Sequence, residues 1–322
     1  MRHGGFALAL CAVAWGSPTG AADTQDFPAR PVRFVVGFAS GANDAVARIV
    51  GQKLAENWGQ NVVVENRPGA GGTIAADLVV KAQPDGYTLF VGEFGPNVMA
   101  GTLFPKLPYD PARDFAHVTQ LVSFPLVLLV PAASPIGGLN ALLEQAKSKP
   151  GVLKYSTGGI GNSTHLFVAL INLTARVETV PVHYRGGAPA LLGVIGAEVD
   201  YTMTSVSTAL PQLGAGRVRA LAVTSANAIP RLPNVPPVSS VLPGYEGLAL
   251  HGLHAPANTP RTIIAKLYQD VGKVLRRPEL KERFDGLAMD VSGSTPEEFT
   301  VFIKKQIDTW GAVARAANVR AD

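Results

Sequence analysis

A chain of 322 residues that is 47% hydrophobic and 16% charged is long enough for two domains of ordinary size, and its abundance of Ala, Gly and Val with few aromatic residues fits an α/β protein, not a coiled coil or a disordered chain. The formal net charge is +4, the basic residues are dispersed without a Lys/Arg run, and nucleic acid is excluded as a partner on that ground. Cys11 is the only cysteine, which excludes a disulfide framework and a thiolate metal site.

Residues 1–22 read as a secretory export signal. Arg2 and His3 form a basic start, Phe6–Trp15 is an apolar run, and Gly20, Ala21 and Ala22 supply small residues for cleavage. The run is too short to span a bilayer, and Cys11 sits inside it after Leu10, which argues against a lipoprotein signal. The expected location is the periplasm. Without these residues the balance is 27 basic against 24 acidic side chains, or +3. No later stretch holds 18 consecutive apolar residues, so no membrane span is expected.

From there strand-like runs alternate with helical ones. The strands are expected at 33–36, 62–65, 88–92, 126–130, 153–156, 179–183, 199–204 and 219–224. Between them lie helical stripes such as Val46, Ile49, Val50 and Leu54. Alternation of this kind predicts a largely parallel sheet with helices on both faces, in two α/β domains that meet near residue 125. Thr259-Pro260 and Thr295-Pro296-Glu297-Glu298 read as the capped starts of two long C-terminal helices, the second with a capping box.

Ligands of open α/β sheets bind beyond the carboxyl ends of the strands, so the turns there are the candidates for function. They are Phe38–Asp44, Arg67–Thr73, Gly92–Asn97, Ser156–His165, Tyr184–Gly187 and Thr204–Ser207. Most are rich in Gly, Ser, Thr and Asn and several lead straight into a helix. A helix start carries N–H groups without intrahelical partners, and the helix dipole favours an anion there. Asn43 or Asp44 is expected to cap the first helix at Ala45. Arg185 is the one cation in these turns, facing either a ligand carboxylate or solvent. Glu93 is the one anion of the third turn, facing either a ligand amine or hydroxyl or its own backbone.

Established chemical motifs do not fit. Gly69-Ala70-Gly71-Gly72 and Gly159-Ile160-Gly161 lack the third glycine of a dinucleotide fingerprint, and no P-loop occurs. Gly161-Asn162-Ser163-Thr164-His165 lacks the second glycine of a nucleophile elbow, so Ser163 reads as part of a helix start. His251-Gly252-Leu253-His254 has helical ligand spacing, but Gly252 and Pro256 argue against a helix there. No enzyme activity, cofactor or metal is expected.

As a set, VVVENRPGAGGTIAAD (62–77), PDGYTLFVG (84–92), KLPYDPARDF (106–115), YSTGGIGNSTH (155–165), VPVHYRGGAPAL (180–191), RALAVTSA (219–226) and STPEEF (294–299) resemble the Bug-type receptors. These are the extracytoplasmic solute-binding proteins of tripartite tricarboxylate transporters. The resemblance covers about Pro28 to Val319. It implies a type II periplasmic binding protein fold: two α/β domains, a ligand cleft between them and two chain crossovers. Domain 1 would hold 27–124 plus 247–322, and domain 2 would hold 125–246. The implied function is to bind a small organic carboxylate and deliver it to membrane permease subunits, as a monomer. The alternative is a periplasmic sensor that presents its ligand-bound form to a signalling partner. Carried onto this sequence, Ala39, Ser40, Gly41, Asn43 and Asp44 would contact the ligand from domain 1. Ser156, Thr157, Ser163, Thr164, His165, Thr204 and Ser205 would do so from domain 2. Phe38 and Arg185 join the candidates from their places in the first and fifth turns and not from the resemblance. Two departures stand out. Gly37 replaces a family proline in a loop one glycine short. The third loop carries Glu93, Phe94 and Pro96 where Ser, Thr and Gly are usual, which points to a neutral or cationic ligand group near Glu93 or an aromatic one on Phe94.

Overall fold

The computed structural model describes Met1, residues 27–39 and residues 41–321, so the expected export signal beyond Met1, and Ser40, lie outside the described residues. Strands β1 (Val32–Val36), β2 (Val62–Asn66) and β3 (Thr88–Glu93) pair in parallel in the order β2-β1-β3. Helix α1 (Ala42–Trp58) buries Val46, Ile49, Val50 and Leu54 on one stripe, as their spacing requires. It ends where Gly59 takes a left-handed φ of 64° and donates its N–H to the Ala55 carbonyl. Helix α2 (Thr73–Val80) leads back towards β3.

The element least expected from the sequence is β4, a single strand of 17 residues from Phe115 to Pro131. Only its last third carries the apolar run that marks a strand. His117, Thr119 and Gln120 interrupt the pattern, yet all three are buried. Their polar groups find partners on neighbouring chain: Thr119 Oγ1 donates to the Ser294 carbonyl at 2.7 Å, Ser294 Oγ accepts from the Gln120 N–H at 3.1 Å, and His117 Nδ1 lies 2.7 Å from His254 Nδ1. Strand β9 (Leu248–Pro256) is unmarked for the same reason, its apolar residues interrupted by His251, Gly252 and His254. It runs antiparallel between β3 and β4. The sheet is therefore mixed, not largely parallel.

Midway, β4 changes partners. Pro125 still faces Leu248 of β9, but Leu126 faces Ser205 of β7 (Tyr201–Ser205). The C-terminal half of β4 also pairs with β8 (Val218–Val223), while β7, β5 (Lys154–Thr157) and β6 (Val180–His183) continue in parallel. Thr224 ties the two chain passages at this point. Its hydroxyl accepts from the Leu126 N–H at 2.8 Å and donates to the Gly247 carbonyl at 2.6 Å.

The remaining helices cover this sheet: α3 (Ala100–Leu103), α4 (Leu139–Ser148), α5 (Ser163–Ala175), α6 (Gly187–Ile195), α7 (Val206–Gly214), α8 (Arg261–Leu275), α9 (Pro278–Gly286) and α10 (Pro296–Ala316), with the short strand β10 (Asp290–Val291) on β4. The capping box of α10 is present: Thr295 Oγ1 accepts from the Glu298 N–H and the Glu298 carboxylate accepts from the Thr295 N–H. The start of α8 differs from expectation. Thr259 does not cap it, because the helix begins at Arg261 and Pro260 holds the N-cap position. Helix α8 packs on α1 and β4, whereas α10 touches β4, α3 and α5. No helix among the described residues is long and apolar enough to cross a membrane.

Candidate functional site

Four helix starts converge on one cavity of about 50 Å³ near the point where β4 changes partners. From the β1–β3 side comes α1, with Gly41, Ala42 and Asn43 on the wall. Gly41 precedes the helix with φ 126°, and no side chain caps it. The expected capping by Asn43 or Asp44 is absent because the helix begins at Ala42, ahead of both. Its first N–H groups are thus left to the cavity. From the other side come α5, α6 and α7. Asn162 caps α5, its Oδ1 accepting from the His165 N–H at 3.1 Å and from Thr164 Oγ1 at 2.7 Å. Gly186, with φ 130°, leads into α6 without a side-chain cap. Ser205 caps α7, its Oγ accepting from the Thr208 N–H at 3.3 Å.

The cavity therefore gathers Phe38, Gly41, Asn43, Glu93, Ser163, Thr164, Thr204 and Ser205 of the residues picked out from the sequence. It adds others that were not: Ala42, Asn162, Gly187, Thr208 and His251, with Phe124 and Leu126 of β4 as an apolar floor. Asn162 and Gly187 lay inside turns already singled out, and Ser205-x-x-Thr208 is a capping spacing visible in the sequence. His251 had no local signal, because β9 itself had none. Among the described residues that line the cavity there is no Lys or Arg.

Seven expected contacts lie elsewhere, and Ser40 is outside the described residues. Ala39 is exposed and off the wall. Asp44 is turned away: its carboxylate pairs with Arg48 at 2.9 Å and accepts from Asn66 Nδ2 at 2.9 Å. Phe94 is fully buried, edge-on to Phe167 and Trp310 with ring centres 5.6 and 5.2 Å away, so no ligand can rest on it. Ser156 is fully buried and donates to the Ala190 carbonyl at 2.7 Å. Thr157 is committed to His183 at 2.8 Å and to Gly159. His165 accepts from the Gly161 N–H at 3.2 Å and packs on His183, on a different cavity from the four helix starts. Arg185 is exposed and lines a cavity of about 540 Å³ beside the 68–72 and 158–160 turns. In that second cavity the two turns touch. A Cβ on Gly71, whose φ is 62°, would lie 2.9 Å from the Ile160 carbonyl oxygen.

Burial governs the electrostatics of the wall. Glu93 is pushed up to about 7, because burial penalises its anion more than the Gly95 N–H, 3.4 Å away, favours it. His251 is lowered to about 3 by burial, against a smaller upward pull from the Gly92 carbonyl, so its ring is neutral. His165 and His117 are lowered in the same way, to about 3 and about 4. Among the described residues no group of three or more His, Cys, Asp or Glu is placed to hold a metal. What this wall can do is hold an anion with helix N–H groups and hydroxyls, each helix start contributing on the order of 0.3–1 kcal/mol and up to about 2 when partly buried.

Residues 46–319 match the family described as the tripartite tricarboxylate transporter family receptor. The chain belongs to that family. A Pseudomonas sp. (strain P51) relative, the UPF0065 protein in the tcbD-tcbE intergenic region, is 38% identical over 95% of this chain and 90% of its own length. Among solved structures, Rpa4515 of R. palustris with adipate is 32% identical with a TM-score of 0.88, covering 92% of this chain and 99% of that one. MatC of Rhodopseudomonas palustris with bound malate is 34% identical with a TM-score of 0.85, covering 89% of this chain and 99% of that one. The fold is that of the periplasmic binding proteins. Members of the tripartite tricarboxylate transporter receptor family are extracytoplasmic solute receptors and not enzymes.

Proposed function

We propose that this receptor closes on a small organic carboxylate and delivers it to a tripartite-type permease. The observation that carries the reading is the meeting of four helix N-termini on one cavity whose described lining has no Lys or Arg. Such a wall stabilises an anion by dipoles and N–H groups alone, without a fixed countercharge that would hold it too tightly for release. The adipate and malate bound to two relatives are carboxylates of this kind. The proposed contacts are the first N–H groups of α1, α5 and α6 with the hydroxyls of Ser163, Thr204 and Ser205.

In this reading residues 1–22 direct export to the periplasm. Residues 27–124 with 247–322 form one lobe and 125–246 the other, hinged where Thr224 ties Leu126 to Gly247. A monomer closes by bringing the Gly69–Gly72 turn onto Ile160. A thermal-shift screen of small carboxylic acids against their uncharged amides tests the binding function. Stabilisation by one or more acids and by none of the amides is expected; stabilisation by no acid, or by amides equally, overturns the reading. Ligand-dependent capture of permease subunits, in place of a signalling protein, tests the delivery step.

A further inference from the structure

The wall opposite the three helix starts of α5–α7 carries polar atoms that no protein group uses. Asn43 Nδ2 donates to the Val91 carbonyl at 3.1 Å, and a carbonyl can only accept, so the amide nitrogen faces it. The same nitrogen sits 3.1 Å from His251 Nδ1, which is therefore the acceptor, and the ring proton is on Nε2. This leaves Asn43 Oδ1 a buried acceptor without a partner and His251 Nε2 a buried donor without one. Asn43 and His251 are 5% and 2% exposed. Glu93 sits opposite His251 in the β3–β9 register, and its one hydrogen bond is the long contact from Gly95.

We propose that Glu93 and Asn43 form a seat for an amine, so that the solute is a small amino carboxylate with its carboxylate on the helix N-termini and its ammonium against Glu93 and Asn43 Oδ1. The inference rests on the receptor reading above. It follows from which atoms are free. An ammonium has only donors, and the unused capacity of Glu93 and Asn43 is acceptor capacity. A second carboxylate placed there would be repelled by the Asn43 oxygen and by the Glu93 anion, and would need Glu93 protonated in order to bind. The side-chain donor without a partner, His251 Nε2–H, is left to the ligand. A zwitterion also matches the charge of the whole cavity, with its anionic end among positive helix ends and its cationic end at the lone acid.

The groups facing Glu93 leave its charge to the ligand. From β9 comes His251, from α1 Asn43, from the turn after β3 Gly95, and from the start of α5 Asn162 and Ser163. Only His251 titrates among them, and it is held neutral by burial. Asp44 on α1 is engaged with Arg48 and Asn66, away from the cavity. In the free protein Glu93 is partly protonated at neutral pH, and an ammonium against it favours the anion. Binding of an amino acid must then release a proton, whereas binding of a second carboxylate would take one up.

The test is calorimetric titration with matched acids that differ only in an amino or hydroxyl group: L-aspartate and L-malate, L-alanine and L-lactate. Each is run in two buffers of small and large ionisation heat. The amino member of one or more pairs should bind about tenfold or more tightly than its hydroxy partner and release about three quarters of a proton at pH 6.5. Its affinity should rise with pH through 7 and then level off. Glu93→Gln should weaken the amino acid about tenfold and abolish proton release, while changing the hydroxy acid less than about threefold. Equal weakening of both acids would mean that Glu93 only supports the wall, and would overturn the seat. Preferred binding of hydroxy acids with proton uptake would also overturn it and leave the carboxylate receptor standing. Failure of every acid to bind would overturn both.

Discussion

Acidification should unfold this receptor steeply, and the histidines set the window. His117, His165 and His251 are 4%, 5% and 2% exposed, and burial lowers them to about 4, about 3 and about 3. A histidine whose folded value lies below its unfolded one stabilises the fold above the unfolded value, and that stability is lost as pH falls towards the folded value. Below pH ~6.5 the unfolded chain takes up protons that the native chain refuses, at a cost of about 1.4 kcal/mol per group per pH unit. Glu93 works the other way. Its folded value of about 7 lies above the usual carboxylate value, so it favours the fold increasingly as pH drops from 7 to about 4.5. These three histidines against Glu93 leave a net loss of about 3 kcal/mol per pH unit between 6.5 and 4.5, and the buried His254, lowered well below its ordinary value, adds to it. Over two pH units that net loss is about 5–6 kcal/mol, a third or more of the roughly 5–15 kcal/mol that holds a native domain together. Urea unfolding at a series of pH values from about 7.5 to 4.5 measures it directly. In Glu93→Gln the slope should steepen by about 1.4 kcal/mol per pH unit. A flat or rising stability down to pH ~5 would show instead that these imidazoles are protonated or solvated in the native state.

Further outcomes follow from single contacts. Asn162→Ala removes the α5 cap and should cost about 1 kcal/mol of stability and, in addition, weaken carboxylate binding, checked by melting and by titration. Gly71→Ala places a methyl group 2.9 Å from the Ile160 oxygen at a left-handed φ of 62°, so the two turns cannot meet. Ligand affinity should fall about tenfold or more, with a more open molecule by small-angle scattering in the presence of ligand. Phe94→Ala should destabilise by roughly 3–5 kcal/mol through loss of its packing on Phe167 and Trp310, while the folded fraction keeps the ligand affinity of the parent.

Most of the α/β alternation was legible because α1, β1, β3 and β5–β8 obey local rules: apolar runs bounded by turns and stripes at helical spacing. The first half of β4 and all of β9 were not, because a central strand can carry His117, Thr119, Gln120, His251 and His254 when distant chain supplies their partners. Sequence spacing holds no record of a partner more than a hundred residues away. The site divides along the same line. Residues at helix starts, such as Ser163 and Ser205, could be found because capping is local. His251 reaches the cavity only through the β3–β9 pairing. Phe94, Ser156 and Thr157 belong to turns at the right place in the fold, but their side chains point into the core or onto neighbouring backbone. A turn can be read from composition, whereas the direction of each side chain depends on what packs behind it.

In the proposed function the first N–H groups of α1, α5 and α6 with the hydroxyls of Ser163, Thr204 and Ser205, and no Lys or Arg among the described lining, hold the solute's carboxylate. Titration of one bound acid and its primary amide into the intact protein, at low and at high salt, tests it most directly. The acid should bind, the amide should be weaker by about a hundredfold, and affinity for the acid should change little with salt because most of the lining is buried. Equal affinity for acid and amide, or loss of acid binding at high salt, would contradict it.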